Sequence, residues 1–167
     1  MIKCFRNSCM KLIIVCDSFP MEKNYHSGTL KKSIRISTEP DKAWNVLSRI
    51  AQLNWLEGIK SSKFASNKKR GIGARRKISF MDGTNVEETI VGWRPKKYFS
   101  YIATSGLPLR GYHATISISK EKNMVKIEWE SFFSSDLMGK KEFNDFVELL
   151  SNFYTLSLKN LRTSMEK

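Results

Sequence analysis

The chain has 167 residues, 41% hydrophobic and 11% aromatic, enough for one domain with a sizeable core. Its longest unbroken apolar run, Leu12-Ile13-Ile14-Val15-Cys16, falls far short of the roughly 18 residues a membrane-spanning helix needs. The net charge is +13, and residues 31–76 supply most of it, with 12 basic and 3 acidic residues, a field that serves solubility or attracts nucleic acid, acidic headgroups or an acidic ligand.

Residues 1–28 read as an N-terminal extension that is poorly ordered, with Met21 as an alternative start. Lys3, Arg6 and Lys11 precede the short apolar run loosely as a secretory signal would, but no small-x-small cleavage site follows, so a cytoplasmic location is expected. The three cysteines, Cys4, Cys9 and Cys16, all fall here. Their odd count and lack of CxxC spacing argue against a disulfide framework, a structural zinc site or a thiol nucleophile in the body of the protein.

The domain is expected over residues 29–167. Leu30 to Ser37 alternates with period two, the mark of a strand with one buried face. Ser37-Thr38-Glu39-Pro40-Asp41 offers a hydroxyl cap, a proline and two acids, a strong helix start. The helix carries Ala43, Trp44, Val46, Leu47 and Ile50 and is expected to run down around Asn54.

Strands and turns follow. Lys60–Ala65 reads as a strand, 67–73 as a basic turn with two glycines, and Ala74–Met81 as an alternating strand. Asp82-Gly83-Thr84-Asn85 forms a hairpin turn. Val86–Trp93, Tyr98–Thr104, Tyr112–Ser119 and Val125–Phe133 complete the strands. From Lys140 to about Thr163 the period changes. Phe143, Phe146, Val147, Leu150, Tyr154, Leu158 and Leu161 recur at three and four residues, with Leu149, Phe153 and Leu156 widening the stripe. A stripe this broad and aromatic should lie against something concave. The order is that of an α+β protein, without βαβ alternation.

With residues 37–47, Trp55, Gly71-Ile72-Gly73-Ala74-Arg75-Arg76, residues 86–90, Tyr101, Gly106-Leu107-Pro108-Leu109, Ile127-Glu128-Trp129 and the closing helix in this order, the chain resembles the START-like (SRPBCC) superfamily. Within it the chain is most similar to the polyketide cyclase/dehydrase and lipid-transport branch. The resemblance covers about residues 30–163. It implies a helix-grip fold: a curved antiparallel sheet of seven strands wrapped around the long C-terminal helix, with an internal cavity for lipids, hormones or polyketides. A minority of the family catalyse cyclisation or dehydration, and fold alone does not choose between these activities.

Alternation identifies the polar residues that face inward. If Ile78 and Phe80 are buried, Arg76 and Asp82 share their face. If Val86 and Ile90 are buried, so is Glu88. Arg76 and Glu88 then either orient a polar group of the ligand or form a structural ion pair, since a buried charge must be matched. The resemblance supports Arg76 as a pocket residue. On the fifth strand Ile102 places Tyr98 inside, whereas the resemblance favours Tyr101, and the sequence leaves both open. Tyr112 shares a face with Ala114, Ile116 and Ile118. Trp55, Trp129, Phe133, Phe146, Leu150 and Tyr154 are candidate apolar walls, or ordinary core.

His26 precedes the expected domain and His113 alternates outward, so neither is a catalytic candidate. No metal-ligand cluster or cofactor motif is legible, and none is expected. Gly71-Ile72-Gly73 lacks the pattern of a phosphate loop.

Three functions remain: carriage of an apolar or amphipathic small molecule; an aromatase/cyclase or dehydratase using Arg76, Glu88 and a tyrosine such as Tyr98; or contact with nucleic acid or an acidic membrane through residues 60–77, where Lys60, Lys63, Lys68, Lys69, Arg70, Arg75 and Lys77 lie.

Overall fold

A computed structural model describes residues 25–166. Most of the expected extension, with the three cysteines, lies outside the described residues. Residues 26–28 are instead the opening of β1 (His26–Ile36), which starts four residues before the strand expected at Leu30. His26 therefore belongs to the sheet, packed beside Phe143 with ring centroids 5.4 Å apart.

The remaining elements are α1 (Pro40–Leu47), β2 (Ile59–Phe64), β3 (Arg75–Phe80), β4 (Asn85–Arg94), β5 (Tyr98–Ser105), β6 (Gly111–Glu121), β7 (Met124–Ser135) and α2 (Lys140–Met165). The seven strands form one antiparallel sheet in the order β1-β7-β6-β5-β4-β3-β2. Each strand from β2 to β7 pairs with its sequence neighbour, and β1 closes on β7. The sheet curves around α2, the helix-grip architecture.

Period-two burial explains the strands. Along β7, Val125, Ile127, Trp129, Ser131, Phe133 and Ser135 turn inward, and the residues between them are more exposed. β2 and β1 are the two edges. Their lysines and arginine (Lys60 and Lys63; Lys31 and Arg35) are exposed, and such charges on an edge oppose pairing with another chain. Part of the basic excess thus sits where the sheet would otherwise aggregate.

α1 is shorter than its apolar spacing predicts, and its cap differs. Glu39 is the N-cap without a side-chain capping bond, and the Thr38 hydroxyl is buried without a partner. Pro40 in the first turn has no N–H to satisfy, which lightens the need for a hydroxyl cap. The helix ends at Leu47. Residues 48–58 then turn irregularly while burying Ile50, Leu53, Trp55 and Leu56, of which Ile50 had suggested further helix. This segment is tied to α2: the Glu57 N–H donates to Ser157 Oγ at 3.0 Å.

The N-cap of α2 is Gly139, whose N–H donates to the Glu142 carboxylate at 3.1 Å. The helix buries Phe143, Leu150, Tyr154, Leu158, Leu161 and Met165 in the hydrophobic core. Leu161 is fully buried, and such a side chain contributes roughly 1.5–3 kcal/mol through removal from water.

Candidate functional site

Between the sheet and α2 lies a cavity of about 370 Å³, within the roughly 300–1,000 Å³ typical of small-molecule sites. Ile78 and Phe80 of β3, Val86 of β4, Ile116 of β6 and Trp129 of β7 give the sheet wall. Phe146, Leu149, Leu150 and Phe153 give the helix wall, and Trp55 and Leu56 complete the lining beside them. Asp82 and Thr84 of the β3–β4 hairpin and Gly106-Leu107-Pro108 of the β5–β6 loop also line it.

Beyond the hairpin residues Asp82 and Thr84, polar groups break the apolar wall at two places. Arg76 and Glu88 are paired residues across β3 and β4, so alternation puts both side chains on the inner face. Arg76 Nε donates to Glu88 Oε2 at 2.6 Å, and Nη1 donates to the Ile50 carbonyl at 2.9 Å. The early end of α1 permits the second bond, because a helix continued to Asn54 would have engaged that carbonyl itself. The guanidinium also lies over the Tyr101 ring, 4.8 Å from its centroid. Burial pushes the Glu88 carboxyl above its usual range, and the Arg76 charge and hydrogen bond pull it back.

The second polar place is formed by tyrosines. Tyr112 and Tyr154 hydroxyls bond each other, and the Tyr101 and Tyr112 rings lie 6.2 Å apart. Burial raises all three phenols, Tyr101 and Tyr112 well above the ordinary value, so they present neutral hydroxyls. Such groups suit hydrogen bonding to a ligand better than proton abstraction.

Of the residues singled out from the sequence, Trp55, Arg76, Ile78, Phe80, Glu88, Tyr101, Tyr112, Trp129, Phe146 and Leu150 line the cavity. Three do not. Tyr98 lies on the outer face, 36% exposed, which corrects its inward assignment. Phe99 and Tyr101 hold the inner face of β5, and Ile102 is only half-buried in a shallow outer groove with His113 and Phe132. Phe133 packs behind the wall against Phe143 and Phe146, and Tyr154 stacks on Trp129. Sequence reasoning missed Leu56, Thr84, Leu107, Pro108, Leu149 and Phe153 as lining residues. For the last two the signal existed, as the extra width of the α2 stripe.

The basic residues gather at one edge. Lys60, Lys63, Lys68, Lys69, Arg70 and Arg75 are exposed and Lys77 is half-buried. Several are engaged locally: Arg75 pairs with Glu87 at 3.0 Å, and Lys69 lies over the Phe64 ring at 4.7 Å. Among the described residues no cluster of His, Cys, Asp and Glu is arranged to hold a metal ion, and no helix is long and apolar enough to cross a membrane.

Residues 27–166 match the family described as polyketide cyclase/dehydrase and lipid transport, and the chain belongs to that family. Two solved structures share the fold. One is a putative uncharacterized protein from Bacillus thuringiensis, with TM-score 0.70, 23% identity and coverage of 84% of this chain and all of that one. The other is the protein XoxI from Bacillus cereus, with TM-score 0.70, 24% identity and coverage of 83% and 95%. No curated protein matches the chain.

Proposed function

We propose that the protein binds or carries an apolar or amphipathic small molecule in the cavity under its sheet. The observation that carries this reading is a void of about 370 Å³ whose walls are largely aromatic and aliphatic, interrupted by a few fixed polar groups. That combination is the usual composition of a ligand pocket: apolar area supplies affinity and a few hydrogen-bonding groups supply orientation. Membership of a family that includes lipid transport supports the same reading. Native mass spectrometry of freshly purified protein tests the proposal: a co-purified organic molecule supports it. Protein that is ligand-free and takes up no member of a panel of fatty, isoprenoid and polycyclic compounds refutes it.

One observation favours the alternative, an aromatase/cyclase- or dehydratase-type enzyme. A carboxyl held above its usual range, Glu88, stands at the cavity wall near two tyrosine hydroxyls. Under that reading Tyr112→Phe abolishes turnover of a carbonyl-bearing substrate. Under carriage it changes affinity alone.

A further inference from the structure

The electrostatics of the cavity restrict the kind of head group a ligand can bring. Arg76 and Glu88 are only 3% and 6% exposed, and both line the void. The guanidinium spends Nε on Glu88 at 2.6 Å and Nη1 on the Ile50 carbonyl at 2.9 Å. Asp82, at the β3–β4 hairpin, adds a second carboxylate to the lining. Asp82 is exposed and accepts from the Thr84 N–H at 2.8 Å. Among the described residues that line the cavity Arg76 is the one cation, and Glu88 is paired with it.

A carboxylate or phosphate entering this space would surrender its hydration, and that desolvation costs several kcal/mol unless a free counter-charge repays it. The ion pair with Glu88 already offsets the Arg76 charge. A neutral carbonyl, ester or hydroxyl loses far less on desolvation, and Tyr101 and Tyr112, the latter with its hydroxyl bonded to that of Tyr154, line the same cavity. Discrimination of this kind is achieved as much by what the site repels as by what it attracts.

Building on the small-molecule reading above, we infer that the cavity selects ligands with a neutral oxygen-bearing head and rejects anionic ligands of the same body, with Glu88 as the specificity-determining residue. Its carboxylate withholds the Arg76 charge from the ligand. An arginine inside an apolar pocket would otherwise mark a fatty-acid or phosphate site, and the 2.6 Å ion pair reverses that assignment.

Two matched pairs of probes test this by isothermal titration calorimetry at neutral pH: decanoate against methyl decanoate, and naphthoate against methyl naphthoate. The wild-type protein is expected to bind at least one ester about tenfold or more tighter than its acid. Glu88→Gln keeps the side-chain length and an oxygen acceptor for Arg76 while removing the negative charge. It is expected to raise the affinity for the matching acid by about tenfold or more and leave the ester within roughly threefold. Acids bound as tightly as esters by the wild type overturn the inference while leaving the pocket reading intact, as does a folded Glu88→Gln protein with an unchanged acid-to-ester ratio. Failure of both members of both pairs to bind counts against the inference and the pocket reading together. If Glu88→Gln does not fold, the wild-type comparison decides alone.

Discussion

The Tyr154 ring lies flat on the Trp129 indole, with centroids 3.8 Å apart and planes 11° from parallel, while its hydroxyl bonds that of Tyr112. One residue of α2 thus joins the helix to β7 by stacking and to β6 by a hydrogen bond. The two contributions separate by substitution. Tyr154→Phe keeps the stack and releases one buried hydroxyl partner, an expected loss of about 1 kcal/mol. Tyr154→Ala also removes the ring from a site with no exposure, at a cost of about 3–5 kcal/mol. Urea denaturation of the three proteins measures both steps. A Tyr154→Phe loss as large as that of Tyr154→Ala would show that the hydroxyl, not the stack, anchors the helix.

Two glycines with the same φ of +91° predict different outcomes because their surroundings differ. A Cβ on Gly83, in the β3–β4 turn, meets nothing within 4 Å. Gly83→Ala therefore carries only the left-handed backbone cost of about 1–2 kcal/mol. A Cβ on Gly106 would stand 1.9 Å from the Asn85 carbonyl oxygen and 2.9 Å from Val86 Cα, both backbone atoms that cannot swing aside. Gly106→Ala is expected to cost about 3 kcal/mol or more. It should also weaken ligand binding, because the β5–β6 loop it displaces lines the cavity. Thermal denaturation with a ligand titration checks both effects.

Much of the fold was legible because each strand of a half-buried sheet writes its inner face in period two. Arg76 and Glu88 came out on one face by that rule, and the register confirms that they are opposite residues. The rule failed on β5, where Tyr98, Ser100 and Ile102 face outward, yet Ser100 is buried and bonded to Thr115 at 2.7 Å. When the outer face also buries residues, a single isoleucine cannot decide orientation. The Ile50 carbonyl was invisible for another reason: a backbone acceptor becomes available only where a helix stops, and apolar spacing continued past that stop.

Glu128 predicts an acid-side instability. On the outer side of β7 it pairs with Lys126 at 2.8 Å and Lys31 at 2.7 Å. Those hydrogen bonds, Lys126 first, hold its carboxyl below the usual value of 4.5. Folded-state affinity for the proton is thus lower than that of the unfolded chain. The contribution is complete above about pH 4.5 and is lost as pH falls through the depressed value. Partial exposure limits it to about 1 kcal/mol. Glu128→Gln is expected to show a smaller stability loss between neutral and acid pH than the wild type, and high salt should shrink the difference. Equal acid-side losses in the two proteins would remove the assignment.

The buried pair itself predicts strong non-additivity. Arg76→Met strands a carboxylate and Glu88→Leu strands a guanidinium, each in a wall with almost no exposure. Breaking a buried pair from one side costs about 3–5 kcal/mol, because the remaining charge has lost its compensation. Arg76→Met/Glu88→Leu leaves no charge behind, so the double variant is expected to lose at least ~2 kcal/mol less than the sum of the singles. It should not regain wild-type stability. The Ile50 carbonyl would lose its 2.9 Å donor, and a buried orphan acceptor costs about 1–3 kcal/mol. A denaturation cycle on the four proteins measures the coupling. Additive losses would mean that the two charges reach solvent independently, and the electrostatic account of the cavity would fail with them.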